Sequence, residues 1–149
     1  MEIITIPLSD KYKPLVKALW KICWPHKSDD DFERSWDNRD KSASLALINM
    51  RRLVGFVIAS KHITTRHNLY IDYIALNDEC KGQGIGSKIL RSYVVAAYKN
   101  KGSVHLWPAK DELVPWYTRQ GFSPSYDGYY NFHSYETRQQ QKVHQALDL

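Results

Sequence analysis

Residues 69–90 read LYIDYIALNDECKGQGIGSKIL, and their order constrains the chain more than any other stretch. An apolar, strand-like run leads into a loop with glycine at positions 82, 84 and 86, and the loop opens an amphipathic helix. Gly82, Gly84 and Gly86 are expected to allow φ > 0 and a close approach of backbone to ligand. The helix behind them adds unpaired N–H donors and the positive end of its dipole, so the segment is expected to hold an anion such as a phosphate.

The 149 residues, 43% hydrophobic and 25% charged, are enough for a single domain over 1–149 with a sizeable core. No run approaches the ~18–20 uninterrupted apolar residues of a membrane span, and the N-terminus lacks the basic-then-apolar layout of a signal peptide. The chain therefore reads as cytoplasmic, with no membrane partner. Cys23 and Cys80 have neither the density of a disulfide scaffold nor the spacing of a zinc site, and both read as free thiols with no metal. A net charge of +5 favours an anionic partner. That partner could be a nucleic acid or a phosphorylated cofactor, and the basic residues, scattered without a long Lys/Arg tract, do not choose between them.

Along the chain, alternation over residues 2–7 predicts a first strand. From Ser9, a candidate N-cap, Tyr12, Leu15, Val16, Leu19, Ile22 and Cys23 recur at helical spacing until Trp24-Pro25. Asp29, Asp30 and Asp31 precede Phe32, Trp36 and a short second helix. Two β-rich runs over 43–50 and 53–62 form a hairpin around Arg51-Arg52, and a further strand spans 69–77. The helix after the glycine loop carries Ile89, Leu90, Tyr93, Val94 and Ala97 on one face and stops at Asn100-Lys101-Gly102. A strand over 103–107 ends at Pro108. A helix over 111–120 has Pro115 in its first turn and Gly121 beyond its end. A last hairpin turns at Asp127-Gly128 into a strand over 129–135, and the tail from Glu136 is helical or frayed.

This order, β-α-α-β-β-β-loop-α-β-α-β-β, resembles the GCN5-related N-acetyltransferase (GNAT) superfamily over nearly the whole length. The resemblance implies an α/β fold with a mixed sheet of about six or seven strands flanked by about four helices. Two motifs carry it. Lys81-Gly82-Gln83-Gly84-Ile85-Gly86, followed by Ser87, stands where the family has R/Q-x-x-G-x-G/A, which implies that these residues hold the pyrophosphate of acetyl-CoA. Tyr117, Gly121 and Phe122 match the family's Y-x-x-x-G-F. Two departures stand out: Lys81 lacks the bidentate geometry of arginine, and Lys110 occupies a position where the family often has asparagine. Residues 69–90 look most like diamine and polyamine acetyltransferases of the spermidine/spermine type. That likeness implies a role for Asp72 near the acceptor amine and for Tyr117, which also borders the cofactor, as the group that protonates the departing thiolate.

The chemistry can be argued beside the resemblance. A primary amine with a pKa of about 10 must lose a proton before it attacks a thioester. Alternation puts Tyr70, Asp72, Ile74 and Leu76 on one strand face, with Asp72 the single carboxylate among them, able to bind the cation or accept its proton. A backbone N–H around Ile74, Ala75 and Leu76 is the family's donor to the thioester oxygen. His62, His67, His105 and His133 show no metal or nucleophile spacing and read as structural, and Cys80 has no evident activating partner.

For the acceptor, the acidic residues Asp29, Asp30, Asp31, Glu33 and Asp37 between the first helices favour a diamine or polyamine, with Trp24 and Trp107 at the border of its cleft. The same aspartates serve equally as helix caps. Two alternatives stay open, an acetyltransferase of protein lysines or N-termini, and a non-catalytic CoA or nucleic-acid binding module. The resemblance also leaves room for a homodimer through the C-terminal strands.

Overall fold

Hydrophobic spacing selects the elements, and aromatic contacts hold them. The computed structural model describes residues 2–61, 68–124 and 128–133. Its strands are β1 (Ile4–Pro7), β2 (Leu45–Asn49), β3 (Arg52–Lys61), β4 (Asn68–Leu76), β5 (Ser103–Leu106), β6 (Ser123–Pro124) and β7 (Tyr130–His133). Its α-helices are α1 (Lys13–Cys23), α2 (Asp29–Asp37), α3 (Ile85–Lys99) and α4 (Val114–Arg119). The fold is α/β, with a seven-stranded mixed sheet in the order β1-β2-β3-β4-β5-β7-β6. Contacts gather the chain into two compact units, residues up to 60 with 71–83, and residues 61–70 with 84 onward.

In the first unit, β1, β2 and β3 pair antiparallel, with a register shift between Leu47 and Ile48. The β2–β3 turn falls at Met50-Arg51, one residue earlier than Arg51-Arg52. Both residues take φ > 0 (50° and 66°), the pattern of the two-residue turn whose twist matches paired strands. Helix α1 starts at Lys13 because Asp10–Tyr12 form a 3-10 turn, and Ser9 makes no side-chain cap. Its buried stripe is Val16, Leu19 and Trp20, continued by half-buried Cys23 and Trp24. Leu15 and Ile22 lie off that i, i+3, i+4 line and are exposed. Trp20 meets Phe32 of α2 at 5.2 Å and Tyr73 of β4 at 5.8 Å, and Phe32 stacks on Trp36. These rings, with Ala46, Phe56 and Ile58, form the core that fixes α1 and α2 to β4.

In β4 burial alternates, with Ile71, Tyr73 and Ala75 buried and Tyr70, Asp72, Ile74 and Leu76 half-buried. In the second unit α3 buries Leu90, Tyr93, Val94 and Ala97. It ends in a Schellman motif: Gly102 N–H bonds Ala97 O at 2.8 Å and Lys101 N–H bonds Tyr98 O at 3.2 Å. The left-handed residue there is Lys101 (φ 55°), not a glycine. The helix expected over 111–120 is split into a 3-10 turn, Asp111–Leu113, and α4. Strand β7 pairs antiparallel with β5 and β6. Asp127 of the expected turn, residues 134–135 of the expected strand, and the tail lie outside the described residues, as do His62 and His67.

Gly55 shows how tightly β3 and β4 are joined. A Cβ there would lie 2.6 Å from Ala75 O and 2.9 Å from a Leu76 methyl. Gly55→Ala is expected to destabilise the protein by about 1–3 kcal/mol, as overpacked cores do. Urea denaturation checks this, and an unchanged midpoint would show that β4 can shift freely.

Candidate active site

Between β4 and α3 the chain makes a 3-10 turn, Asp78–Cys80, and then the glycine loop. Gly82 (φ 78°) and Gly84 (φ 75°) are both left-handed, a conformation that strains any residue with a side chain. No atom lies within 4 Å of where a Cβ would stand at either position, so the space in front of the loop is open. Gly86 is different. It sits inside the first turn of right-handed α3, so its expected positive φ is not found. Gly84 is the N-cap of α3 and supplies no side-chain hydrogen bond, and the first turn holds no acidic residue. Helix α2 makes the contrast: Ser28 and Asp31 close a capping box, and Asp29, Asp30 and Asp31 line its first turn. One helix start is capped by its own sequence, whereas the N–H groups that open α3 have no side-chain cap.

Side chains around the loop serve its shape. Gln83 Nε2 donates to Glu79 O at 3.0 Å, folding the loop back on itself. Lys81 Nζ pairs with Asp78 Oδ1 at 2.9 Å, and that bond raises the lysine pKa. The pair is exposed and weak, so Lys81 can exchange Asp78 for a phosphate. Cys80 is buried and burial pushes its thiol up, which removes it as a nucleophile at neutral pH. Ser87 Oγ accepts from Trp116 Nε1 at 3.0 Å and Gln120 Nε2 at 3.4 Å. With its lone pairs so used, its own O–H remains a donor.

The Y-x-x-x-G-F spacing has a physical origin at the end of α4. Gly121 (φ 99°) bonds Thr118 O at 3.0 Å, and Phe122 N–H bonds Tyr117 O at 3.2 Å. This is a second Schellman motif, in which tyrosine and phenylalanine are the two residues brought into ring contact, here 6.1 Å apart. Tyr117 is buried, and burial raises its phenol pKa to about 12. It is therefore fully protonated at neutral pH and able to act as a hydrogen donor.

Asp72 is the carboxylate of β4. Ser60 Oγ donates to its Oδ1 at 2.7 Å, and the Ser35 hydroxyl of α2 is a lesser influence on it. Burial raises the carboxyl pKa, while the two hydroxyls work in the opposite direction. Beside it, Ile74 and Leu76 are half-buried and Ala75 is buried. Neither serine was legible as a site residue, because each lies far from Asp72 in sequence.

The remaining expected residues are distributed differently. Asp29 pairs with Lys21 at 3.1 Å and with Lys17 at 3.8 Å, and Glu33 with Lys13 at 2.6 Å and Lys17 at 3.1 Å. Asp31 is occupied by the capping box and by Arg34 at 3.7 Å. Asp30 lies in the same first turn and is exposed. Trp24 packs edge-on against Tyr73 at 4.7 Å. Trp107 is 55% exposed, lies against Tyr129 at 5.0 Å and covers Gly128; Tyr129 in turn meets Tyr70 at 5.7 Å. His105, read as structural, bridges Ser103 Oγ at 2.7 Å and Asn131 Oδ1 at 2.6 Å. Among the described residues no three His, Cys, Asp or Glu gather as a metal site, and no helix is long and apolar enough to cross a membrane.

A raised carboxyl pKa means that native Asp72 holds its proton more tightly than the unfolded chain does. The stabilisation this gives is complete below the unfolded-state pKa and is lost as pH rises through the native value. At pH 7 the ionised group is a net cost. Asp72→Asn, which keeps the shape and an acceptor oxygen, is therefore expected to equal or exceed wild-type stability at pH 7 by up to about 1 kcal/mol, the gain shrinking towards pH 4. Denaturation curves at both pH values test this, and a loss at pH 7 would make the carboxylate structural.

The arrangement agrees with comparisons to known proteins. Residues 10–122 match the acetyltransferase (GNAT) family. No curated protein matches the chain. Among solved structures, Naa50 of Arabidopsis thaliana, in complex with the bisubstrate analogue CoA-Ac-MVNAL, superposes with a TM-score of 0.70 at 17% identity over 84% of this chain and 85% of its own. A GNAT-family acetyltransferase from Staphylococcus aureus Mu50 gives 0.69 at 18% identity over 89% and 99%. One from Brucella melitensis in complex with acetyl-CoA gives 0.66 at 12% over 91% and 90%. At these identities the structures speak for the fold, and the family match covers well over half the chain: the protein belongs to the acetyltransferase (GNAT) family.

Proposed function

We propose that the protein transfers the acetyl group of acetyl-CoA to the amine of a peptide. The observation that carries the cofactor half is the start of α3, uncapped, free of acidic residues and fronted by open space at two left-handed glycines. Ile85, Gly86 and Ser87 N–H groups would receive a pyrophosphate, aided by the Ser87 hydroxyl and Lys81. Similar structures bind acetyl-CoA or a CoA conjugate, which supports the same use here. When bound, acetyl-CoA supplies a thioester carbonyl and a thiolate leaving group.

The chain's own residues would handle two protons. Asp72 takes one from the ammonium, directly or through water, so that the neutral nitrogen can attack; its raised pKa suits it to accept and hold that proton. Tyr117 Oη keeps its proton to about pH 12 and can give it to the sulfur as the C–S bond breaks, and the second proton, released by the nitrogen once the C–N bond has formed, restores the phenol.

For the acceptor, the diamine expectation leaned on free carboxylates in the first turns of α2. Asp29, Asp31 and Glu33 have Lys21, Lys17, Lys13 and Arg34 as partners, which reduces the net charge that would attract a second ammonium, while Asp30 and Asp37 are exposed. The Naa50 complex holds a peptide conjugate, which supports a peptide amine as acceptor.

Turnover with acetyl-CoA, measured on peptides with a free N-terminus, on N-blocked lysine peptides and on spermidine and putrescine, tests the whole reading. Peptides are expected to be the better substrates with little salt dependence, and Tyr117→Phe is expected to lower kcat by about 10²-fold. A diamine preference that fades with salt would restore the polyamine assignment, and wild-type turnover in Tyr117→Phe would return that residue to the core.

A further inference from the structure

We infer that Ser60 of β3 is a positioning residue that sets the proton affinity of Asp72 through its hydroxyl. This rests on the reading of Asp72 as the group that accepts the amine's proton. The geometry is specific: Ser60 Oγ lies 2.7 Å from Asp72 Oδ1.

A hydroxyl is the partner such a group needs. It donates to the carboxylate and can turn to accept from the carboxylic acid, so it supports both protonation states. A lysine or arginine in its place would hold the carboxylate ionised and useless as a proton acceptor near neutral pH. Among the described residues no such cation acts on Asp72: burial and the Ser60 hydroxyl do, and Arg34 and Asp37 of α2, Lys61 of β3 and Tyr73 of β4 are not among the influences on it.

The test is the pH dependence of kcat/KM for acetylation in wild type, Ser60→Ala, Ser60→Thr and Asp72→Asn. The hydroxyl favours the ionised carboxylate, so its removal raises the pKa and moves the acid limb to higher pH. A shift of about one pH unit is expected for Ser60→Ala. Ser60→Thr, which keeps the hydroxyl, should restore the wild-type limb, and Asp72→Asn should abolish it. A limb that stays in place in Ser60→Ala but vanishes in Asp72→Asn would overturn the role of the serine alone. A wild-type limb in Asp72→Asn would instead overturn Asp72 as the proton acceptor.

Discussion

The first turn of an α-helix has N–H groups that its own backbone cannot satisfy, and α2 and α3 meet that requirement in different ways. In α2 the chain answers with a serine, an aspartate and two further acids. In α3 it answers with a left-handed glycine and no side chain at all. The donors there are not compensated by a cap, and the positive end of a 15-residue helix is turned to open space. Within the loop Gln83 donates to Glu79 O, and at the start of α3 Trp116 and Gln120 donate to the Ser87 hydroxyl.

The two ionisable groups obey a second constraint, burial. It raises the pKa of Tyr117 and of Asp72, yet with opposite chemical consequences. A phenol pushed upward stays protonated as a hydrogen-bond donor but is a weaker acid. A carboxyl pushed upward is a stronger base at the cost of stability. Each group is held by local structure, Tyr117 by the end of α4 and Asp72 by Ser60 of β3.

Much of this was legible in sequence where the governing interaction is short-ranged. The Tyr117-Gly121-Phe122 spacing encodes hydrogen bonds that close within six residues, and the glycine loop encodes φ values that favour glycine. The alternation of β4 and the buried faces of α2 and α3 follow from period alone. What composition hides is pairing across distance. Asp29 and Asp31 of the acidic run have Lys17, Lys21 and Arg34 beside them, and Ser60 of β3 meets Asp72 of β4, neither of which composition reveals. Left-handed Met50, Arg51 and Lys101 were hidden for another reason: the turn overrides residue preference.

The claim at the centre is that the backbone at the start of α3 is the phosphate site. Amide NMR spectra recorded while CoA is added test it directly. The largest shifts are expected at Gly84, Ile85, Gly86 and Ser87, accompanied by the Trp116 indole N–H that leans on Ser87. Saturating CoA that leaves those signals in place while moving others would contradict the account.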